Sequence, residues 1–223
     1  MTLTDADLAV LLDVDGTLID STYHHALAWQ RAFTRHTTPP PMARLHRAIG
    51  MGGDKLVAHV TSQQTEDRLG DQLRADWREE YLQLRGEVAA LPGAATMVAE
   101  IADAGHRVAV ASSGDPQFAQ DAVDFLRIGD HLELVLSSAD VDASKPEPDL
   151  VGEALARLGH PAYAVMVGDT VYDVEAARRA DIPCVALLSG GFGLDELEEA
   201  GAACIVEHPV DLCGVDWWDV ARS

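Results

Sequence analysis

Short, continuous runs of apolar residues recur along the chain, and they constrain its fold more than any other feature. The runs cover residues 8–14, 108–112, 132–136, 164–167 and 182–188, with a weaker one at 203–206. Runs that are continuous rather than alternating are typical of strands buried on both faces. Helical patterns separate them, at 94–104, 116–126, 148–158 and 171–180. This alternation predicts an α/β fold, a doubly wound parallel sheet with helices on both sides.

Residues 21–86 interrupt the alternation, because they show helical periodicity and no convincing strand. Apolar residues that recur every four positions predict one helical face at Leu69, Leu73, Trp77 and Tyr81. Prolines 39–41 cannot continue a helix and therefore separate two helices. We expect a helical insert at 21–86, directly after the first strand, and a core formed by residues 1–20 and 87–223.

The charge balance and the hydropathy pattern exclude several classes of function. The chain has 16 basic and 37 acidic residues, a net charge of −21, and no basic stripe that would bind nucleic acid. No apolar run approaches the roughly 20 residues of a membrane span, and the acidic N-terminal residues do not resemble a secretory signal. We therefore expect a cytoplasmic protein without membrane or nucleic-acid partners. Its acidic surface repels anions, so a phosphate site would need a metal ion or a well-placed lysine.

Three cysteines, Cys184, Cys204 and Cys213, are odd in number and form no CxxC pair. The first two lie in apolar, strand-like runs, so we expect buried free thiols in a reducing compartment. These spacings do not favour a disulfide or a zinc site.

Asp13 and Asp15 close the first predicted strand, and Gly16 and Thr17 follow them. Two carboxylates two residues apart point the same way along a strand, where their charges repel each other unless a cation lies between them. Strand ends of doubly wound sheets are also where ligands bind. Taken alone, the pattern is equally compatible with a solvated turn whose acidic residues cap a helix.

Three further motifs follow in order near the ends of predicted strands: VAVASS around Ser112, SKPEPD around Lys145 and GDTVYD at 168–173. Together with DVDGT at 13–17, they make the chain resemble the haloacid dehalogenase superfamily of phosphatases. The resemblance covers essentially the whole chain, including a helical insert where that family carries its first type of cap. It implies a Rossmann-like core with an inserted cap, and Mg²⁺-dependent hydrolysis of a small phosphorylated metabolite.

The resemblance assigns roles to the acidic residues. Asp13 would be the nucleophile that forms an aspartyl-phosphate, and Asp15 would be the general acid and base. Asp15 also argues against cleavage of a carbon–halogen bond, which needs no acid at that position. Asp13, the main-chain carbonyl of Asp15, Asp169 and Asp173 resemble a magnesium site, in which Asp173 either binds the ion or holds Asp169.

Phosphate binding is expected at two strand-end segments. Ser112 ends the second strand, and its hydroxyl would donate to a phosphoryl oxygen, with help from the amides of Ser113 and Gly114 at the start of a helix. Lys145, between Ser144 and Pro146, would neutralise charge on Asp13 and on the transferred phosphoryl group. We interpret the loop at 189–193 as a structural turn, and a position at the border of the site stays open.

The insert offers four candidate substrate residues, His25, Arg44, Arg47 and Lys55. His25 aligns with a histidine near the cap hinge in relatives that resemble β-phosphoglucomutase, but a surface or core role is equally compatible with its setting. Arg44 and Arg47 share one face of a predicted helix, where they would grip a second anionic group or remain solvated. Lys55, in MGGDKLVAH, resembles the Schiff-base lysine of phosphonoacetaldehyde hydrolases.

Several functions therefore stay open at this point. A phosphatase similar to phosphoglycolate phosphatases is favoured, partly because the DGT form with Thr17 is more usual in phosphatases. A phosphomutase resembling β-phosphoglucomutase shares the cap and every core motif. Less favoured are imine chemistry at Lys55, which would make an acid at Asp15 unnecessary, and a non-catalytic binding protein on the same scaffold. The chain would be a monomer or a homodimer.

Overall fold

A computed structural model describes residues 7–222 and contains one parallel sheet of six strands. The strands are β1 (Leu8–Leu12), β2 (Arg107–Ala111), β3 (Leu134–Leu136), β4 (Tyr163–Gly168), β5 (Cys184–Leu187) and β6 (Cys204–Val206). Their order across the sheet is β3-β2-β1-β4-β5-β6. The chain winds outwards in both directions from β1, which confirms the predicted doubly wound α/β fold. The first strand therefore lies at the point where the strand order reverses.

The α-helices alternate with these strands, except that five helices rather than one lie between β1 and β2. They are α1 (Thr22–His36), α2 (Met42–His46), α3 (Gly53–Val60), α4 (Gln63–Leu84), α5 (Ala94–Asp103), α6 (Pro116–Leu126), α7 (Asp149–Arg157), α8 (Val171–Arg179), α9 (Leu194–Ala200) and α10 (Trp217–Ala221). In the described part of the chain, none of these helices is long and apolar enough to cross a membrane.

Both faces of the sheet are buried, which explains why the strands are continuously apolar. In β1, Leu8, Val10 and Leu12 pack on one side with side chains from α5, α6 and α10. Ala9 and Leu11 face the other side, where α7, α8 and α9 cover the sheet. Successive strand residues point to opposite faces, so each of them meets a layer of helices.

Helices α1 to α4 build a separate apolar cluster of their own. Trp29 and Phe33 of α1 pack there with Leu45, Leu56 and Leu73 from the following three helices. Of the periodic residues on α4, Leu73 and Tyr81 are buried, and Leu69 and Trp77 are partly buried against this cluster or its neighbour. Prolines 39–41 lie between α1 and α2 in non-helical chain.

Two sequence expectations need correction. The third strand is shorter than the predicted 132–136, because a 3₁₀ turn at Gly129–His131 precedes it and the Leu132 amide donates to Gly129. Cys204 is exposed rather than buried, because it begins β6, the short outermost strand of the sheet within the described residues. Cys184 is buried as expected, and all three thiols are free.

Candidate active site

Asp13, Ser112 and Asp169 meet at the carboxyl edge of the sheet. Asp13 directly follows β1, and its amide donates to Val167 of β4 at 2.9 Å. Ser112 directly follows β2, and Asp169 directly follows β4. Since β2 and β4 are the two neighbours of β1, their ends bring these side chains to one place. All three side chains are buried.

Lys145 reaches this edge from the loop before α7 and is fully buried. Its Nζ lies 2.5 Å from Asp13 Oδ1 and 2.6 Å from Asp173 Oδ1, and it donates to the Ala111 carbonyl at 3.4 Å. The Lys145 amide donates to Ser113 Oγ at 3.3 Å. The predicted lysine therefore forms two buried ion pairs, one with Asp13 and one with the first turn of α8.

Asp13, Asp169 and Asp173 form a cluster that could hold a metal ion. One oxygen from each carboxylate lies within 4.8 Å of the others. Asp169 Oδ1 accepts from Thr17 Oγ1 at 3.1 Å, whereas Asp169 Oδ2 is buried and has no hydrogen-bond partner among residues 7–222. Hard carboxylate oxygens are the ligands that Mg²⁺ prefers, and a buried oxygen without a partner is costly unless a cation binds it. The donor set therefore fits Mg²⁺.

Both oxygens of Asp173 already accept hydrogen bonds, whereas only one oxygen of Asp169 does. Oδ1 accepts from Lys145, and Oδ2 accepts from Thr170 Oγ1 at 2.6 Å and from the Thr170 amide at 3.1 Å. These bonds form a capping box at the start of α8. Asp173 is thus tied to the helix and to Lys145, and Asp169 offers the free oxygen.

Burial and mutual repulsion perturb the acidic cluster. Burial raises the pKa of Asp13 to about 7, with further raising by Asp173 and Asp15, although Lys145 opposes it. Burial also raises the pKa of Asp169 above its ordinary value, and the charges of Asp173 and Asp13 add to this. Burial lowers the pKa of Lys145, but Asp13 and Asp173 outweigh that effect and raise it. One lysine therefore does not neutralise three carboxylates.

Asp15 has different partners from Asp13, although only one residue separates them. Its Oδ1 accepts from Ser21 Oγ at 2.5 Å and lies 2.9 Å from His25 Nε2. Burial raises the pKa of Asp15, but the His25 interaction and the Ser21 hydrogen bond outweigh it, and the net shift is downwards. His25 is buried and stacks on the Tyr81 ring, with centroids 3.8 Å apart. The insert thus provides the groups that orient Asp15.

Ser112 and Ser113 lie just before α6. Ser112 Oγ accepts from the Gly114 amide at 3.0 Å, and Ser113 Oγ accepts from the Lys145 amide. Asp115 caps the helix by accepting from the Gln117 amide at 2.8 Å, and Pro116 is its first residue. The Ser113 side chain therefore helps to hold the Lys145 loop.

A cavity of about 590 Å³ opens above this edge, between the core and helices α1, α3 and α4. Asp13, Asp15 and the segment 112–114 line its floor. Trp29, Trp77, Arg74 and Arg78 line the opposite wall. Trp29 and Trp77 stack with ring centroids 5.3 Å apart. Volumes in this range are typical of sites for ligands larger than a few atoms.

Of the four candidate residues in the insert, only His25 lines the cavity. Arg44 Nη2 donates to the His59 carbonyl at 3.2 Å. Arg47 pairs with Glu196 and lies over the Phe192 ring, 4.0 Å from its centroid. Lys55 Nζ donates to the Ser144 carbonyl at 2.7 Å. These three cations bond instead to neighbouring backbone or to acidic residues and do not line the cavity.

Sequence reasoning missed the residues of α4 and α3 that do face the site. Arg74 and Arg78 lie four residues apart on either side of Trp77, so the sequence indicates that they share one helix face, but it does not indicate that this face meets the core. Asp54 of α3 accepts from Ser144 Oγ at 2.5 Å, next to Lys145. The acidic Asp54 preceding Lys55 offered no comparable signal.

The loop at 189–193 borders the acidic cluster, as the sequence suggested. Ser189 Oγ donates to the Gly16 carbonyl at 2.6 Å. A Cβ atom at Gly190 would lie 1.7 Å from Asp169 Oδ2, so only glycine fits against that carboxylate. His46 Nε2 lies 2.9 Å from the Gly190 carbonyl. This loop packs directly on Asp169.

Comparisons with known proteins agree with this geometry. The family described as haloacid dehalogenase-like hydrolase matches residues 10–187. Validoxylamine A 7'-phosphate phosphatase of Streptomyces hygroscopicus subsp. limoneus is 30% identical over 183 residues, covering 79% of this chain and 84% of that protein. Phosphoglycolate phosphatase of Rhodobacter capsulatus is 27% identical over 187 residues, covering 82% and 84%. A hydrolase from Pseudomonas syringae has a TM-score of 0.86 at 32% identity, covering 92% and 95%.

Proposed function

The chain belongs to the haloacid dehalogenase-like hydrolases and is a phosphoric monoester hydrolase, and we propose that it depends on Mg²⁺ and forms an aspartyl-phosphate on Asp13. Its substrate is a small phosphorylated molecule, as the names of its phosphatase relatives indicate. The observation that carries the proposal is the position of Asp13. Its carboxylate lies at the floor of the cavity, is bonded to Lys145, and forms an acidic cluster with Asp169 and Asp173.

The proposed reaction has two displacements. A carboxylate oxygen of Asp13 attacks phosphorus, and the bond between phosphorus and the ester oxygen breaks. Asp15 donates its proton to the departing alkoxide, which leaves as the alcohol. A water molecule then attacks the aspartyl-phosphate, Asp15 takes up the proton of that water, and inorganic phosphate is released as Asp13 is regenerated. Covalent catalysis divides one difficult displacement into two easier ones.

The surrounding residues support each of these groups. Lys145 places a positive charge against Asp13 and near the phosphoryl oxygens. Ser112 and the amides before α6 lie at the floor of the cavity, where they would donate to the same oxygens. His25 and Ser21 orient Asp15 towards the leaving group. None of these roles requires a residue that lies outside the site.

A bound Mg²⁺ would neutralise charge on the phosphoryl group as it is transferred. Asp13, Asp169 and the main-chain carbonyl of Asp15 would hold it. Asp173 would hold Lys145 and α8 and would influence the ion mainly through its charge, because both of its oxygens already accept hydrogen bonds.

Imine chemistry at Lys55 has little support. The Lys55 ammonium bonds to Ser144 and lies 3.5 Å from Glu147, and Lys55 does not line the cavity. Asp15 is also present, as the phosphatase reaction requires. A phosphomutase reaction would use the same residues, and products rather than geometry distinguish it from hydrolysis.

The test measures phosphate release from p-nitrophenyl phosphate with Mg²⁺, for the wild type and for Asp13→Asn. We expect at least about a thousandfold loss of kcat, with Asp103→Asn, an exposed aspartate at the end of α5, as the matched control. Mass spectrometry after acid quenching should find one phosphoryl group on the peptide that contains Asp13. Near-normal turnover by Asp13→Asn would refute the mechanism. Isomerised product from glucose 1-phosphate, without free phosphate, would establish the mutase instead.

A further inference from the structure

The cations on the cavity wall opposite Asp13 are already paired with carboxylates. Arg74 Nη1 lies 2.8 Å from Glu66 Oε1 and donates to the Gly53 carbonyl at 3.0 Å. Its Nη2 lies 2.8 Å from Asp71 Oδ1. These bonds use both terminal nitrogens of the guanidinium and place two negative charges beside it. Arg74 therefore has little positive charge to offer a substrate anion.

Arg78, one turn further along α4, is paired in the same way. Its Nε lies 3.0 Å from Asp115 Oδ2, and its Nη2 donates to the Gln117 side chain. The guanidinium carbon lies 5.5 Å from the centroid of the Phe118 ring. The ion pair joins α4 to the cap of α6, and it neutralises the second arginine of the wall.

Carboxylates outnumber cations around the part of the cavity that would receive the alcohol portion of a substrate. Apart from Asp13 and Asp15, the cavity lining includes Asp54, Glu66, Asp115 and Asp142. Arg74 and Arg78 are the only arginines or lysines of residues 7–222 that line it. A carboxylate on the substrate would meet net negative charge there, while hydroxyl and ammonium groups would find acceptors.

The cavity is also larger than a two-carbon substrate would fill. Its volume of about 590 Å³ extends from Asp13 to the stacked Trp29 and Trp77 indoles. Flat aromatic surfaces contribute contact area to a ring-shaped ligand at little cost in conformational entropy. A short substrate would leave this wall without contacts.

We propose that the physiological substrate is the phosphate ester of a ring-sized, polyhydroxylated alcohol that is uncharged or carries an amine, and not a short phosphorylated carboxylic acid. This inference rests on the proposed phosphatase function and narrows its substrate class. It departs from the substrate after which several relatives are named, since phosphoglycolate carries a carboxylate.

Matched substrate pairs test the charge preference. Each pair differs only by CH₂OH in place of COO⁻: 2-hydroxyethyl phosphate against 2-phosphoglycolate, and glycerol 3-phosphate against 3-phosphoglycerate. We expect kcat/KM to be at least about tenfold higher for the alcohol in each pair, the order of magnitude of one unfavourable charge contact. Glucose 6-phosphate and glucosamine 6-phosphate should both exceed the two-carbon substrates. A preference for either carboxylate would overturn the inference.

Two variants and a control test whether the carboxylates of the cavity wall cause the preference for the alcohol substrate. Glu66→Gln removes one negative charge beside Arg74 and keeps the shape of the side chain. We expect it to raise kcat/KM for 2-phosphoglycolate relative to 2-hydroxyethyl phosphate by about tenfold. Glu79→Gln, an exposed glutamate on the same helix outside the cavity, should leave the ratio unchanged. Asp115→Asn, which retains a helix-capping oxygen, should act like Glu66→Gln through Arg78.

The two proposals fail in different ways. If the wild type releases no phosphate from p-nitrophenyl phosphate, the phosphatase function fails and the inference with it. If it hydrolyses p-nitrophenyl phosphate but prefers 2-phosphoglycolate, only the substrate class is wrong. If Glu66→Gln and Asp115→Asn fold, hydrolyse p-nitrophenyl phosphate and leave the ratio unchanged, the carboxylates of the wall do not set the preference and the inference is overturned.

Discussion

Lys145 and Asp173 form an ion pair that is fully removed from solvent, with Nζ 2.6 Å from Oδ1. The same ammonium bonds to Asp13, so one lysine holds the nucleophile against the first turn of α8. Breaking a buried pair by removing one partner leaves a buried charge without compensation. The pair therefore connects the stability of the fold to the geometry of the site.

Lys145→Met should cost about 3–5 kcal/mol of unfolding free energy without metal, because Asp13 and Asp173 lose their shared cation. Urea unfolding in the presence of a chelator measures this. The chain contains one other lysine, Lys55, whose ammonium is partly exposed and bonds to a carbonyl. Lys55→Met is the matched control and should cost about 0–1 kcal/mol. Equal losses for the two variants would contradict the role given to Lys145.

Magnesium binding should weaken as the pH falls below about 7. Burial raises the pKa of Asp13 to about 7, and that of Asp169 is also raised, so protons compete with the ion for these carboxylates. For the same reason the folded, metal-free protein binds more protons than the unfolded chain between about pH 4 and pH 7. The contribution of these groups to stability therefore falls as the pH rises through that window.

Calorimetric titration with Mg²⁺ at about pH 6 and about pH 8 measures this competition. When binding displaces one proton, the affinity falls about tenfold for each pH unit below about 7. We therefore expect Mg²⁺ to bind about tenfold more weakly at about pH 6 than at about pH 8. Asp169→Asn should bind Mg²⁺ far more weakly at both values, with Asp195→Asn on α9 as a control remote from the cluster. Affinity that does not depend on pH would contradict the raised pKa of Asp13.

His25→Gln should lower kcat by about tenfold to a hundredfold, because the variant loses the imidazole that orients Asp15. The same interaction lowers the pKa of Asp15, which must be protonated to act as the general acid, so its loss should move the alkaline limb of the pH profile of kcat/KM to higher pH. His24→Gln is the matched control, because the neighbouring histidine does not line the cavity. A loss of kcat with an unmoved alkaline limb would show that His25 acts only by packing on Tyr81.

The architecture and the floor of the site could be predicted from the sequence because both depend on local signals. Strands covered on both faces leave continuous apolar runs, and the carboxyl ends of adjacent parallel strands must meet. Those two facts place Asp13, Ser112 and Asp169 together. Their catalytic roles stay predictions until activity is measured.

The cavity wall could not be predicted, because it depends on which face of each inserted helix meets the core. Arg47 has a side chain that could bind an anionic substrate, yet it lies at the end of α2 and contacts Glu196 and Phe192. Arg74 has the same chemistry and does line the cavity. Only tertiary packing distinguishes the two arginines. Cys204 illustrates the same limit, since an apolar run does not reveal whether its strand lies at an edge.

The insert clamps the residue before Lys145, and that clamp should be measurable in activity. Asp54 Oδ1 accepts from Ser144 Oγ, and the Gly52 amide donates to the same hydroxyl at 3.1 Å. We expect Asp54→Asn and Ser144→Ala each to lower kcat/KM by about tenfold, with non-additive effects in the double variant. A coupling energy of about 1 kcal/mol between the two substitutions in this double-mutant cycle would support the clamp. Additive effects would mean that the two residues act separately.

Asp76 joins α4 to the end of α1 and should make stability depend on acid pH. Its Oδ1 accepts from Arg35 at 2.9 Å, and its Oδ2 bonds to His36. Burial raises the pKa of Asp76, but the bonds from His36 and Arg35 outweigh it and lower the pKa below its ordinary value of 3.8. A lowered pKa means that the stabilisation is present above about pH 4 and is lost as the pH falls through the folded value.

Asp76→Asn should therefore lower the unfolding free energy by about 1 kcal/mol near neutral pH, and by progressively less towards pH 3. Urea unfolding of the wild type and the variant at a series of pH values measures the difference. Asp67→Asn is the control, an exposed aspartate of the same helix that accepts a hydrogen bond from the Gln63 side chain at 2.8 Å. It should shift the unfolding free energy little at any pH. If Asp76→Asn lost the same unfolding free energy at pH 3 as at neutral pH, the carboxylate would be acting through its shape and not through its charge. That result would show that the ion pairs of Asp76 do not stabilise the insert.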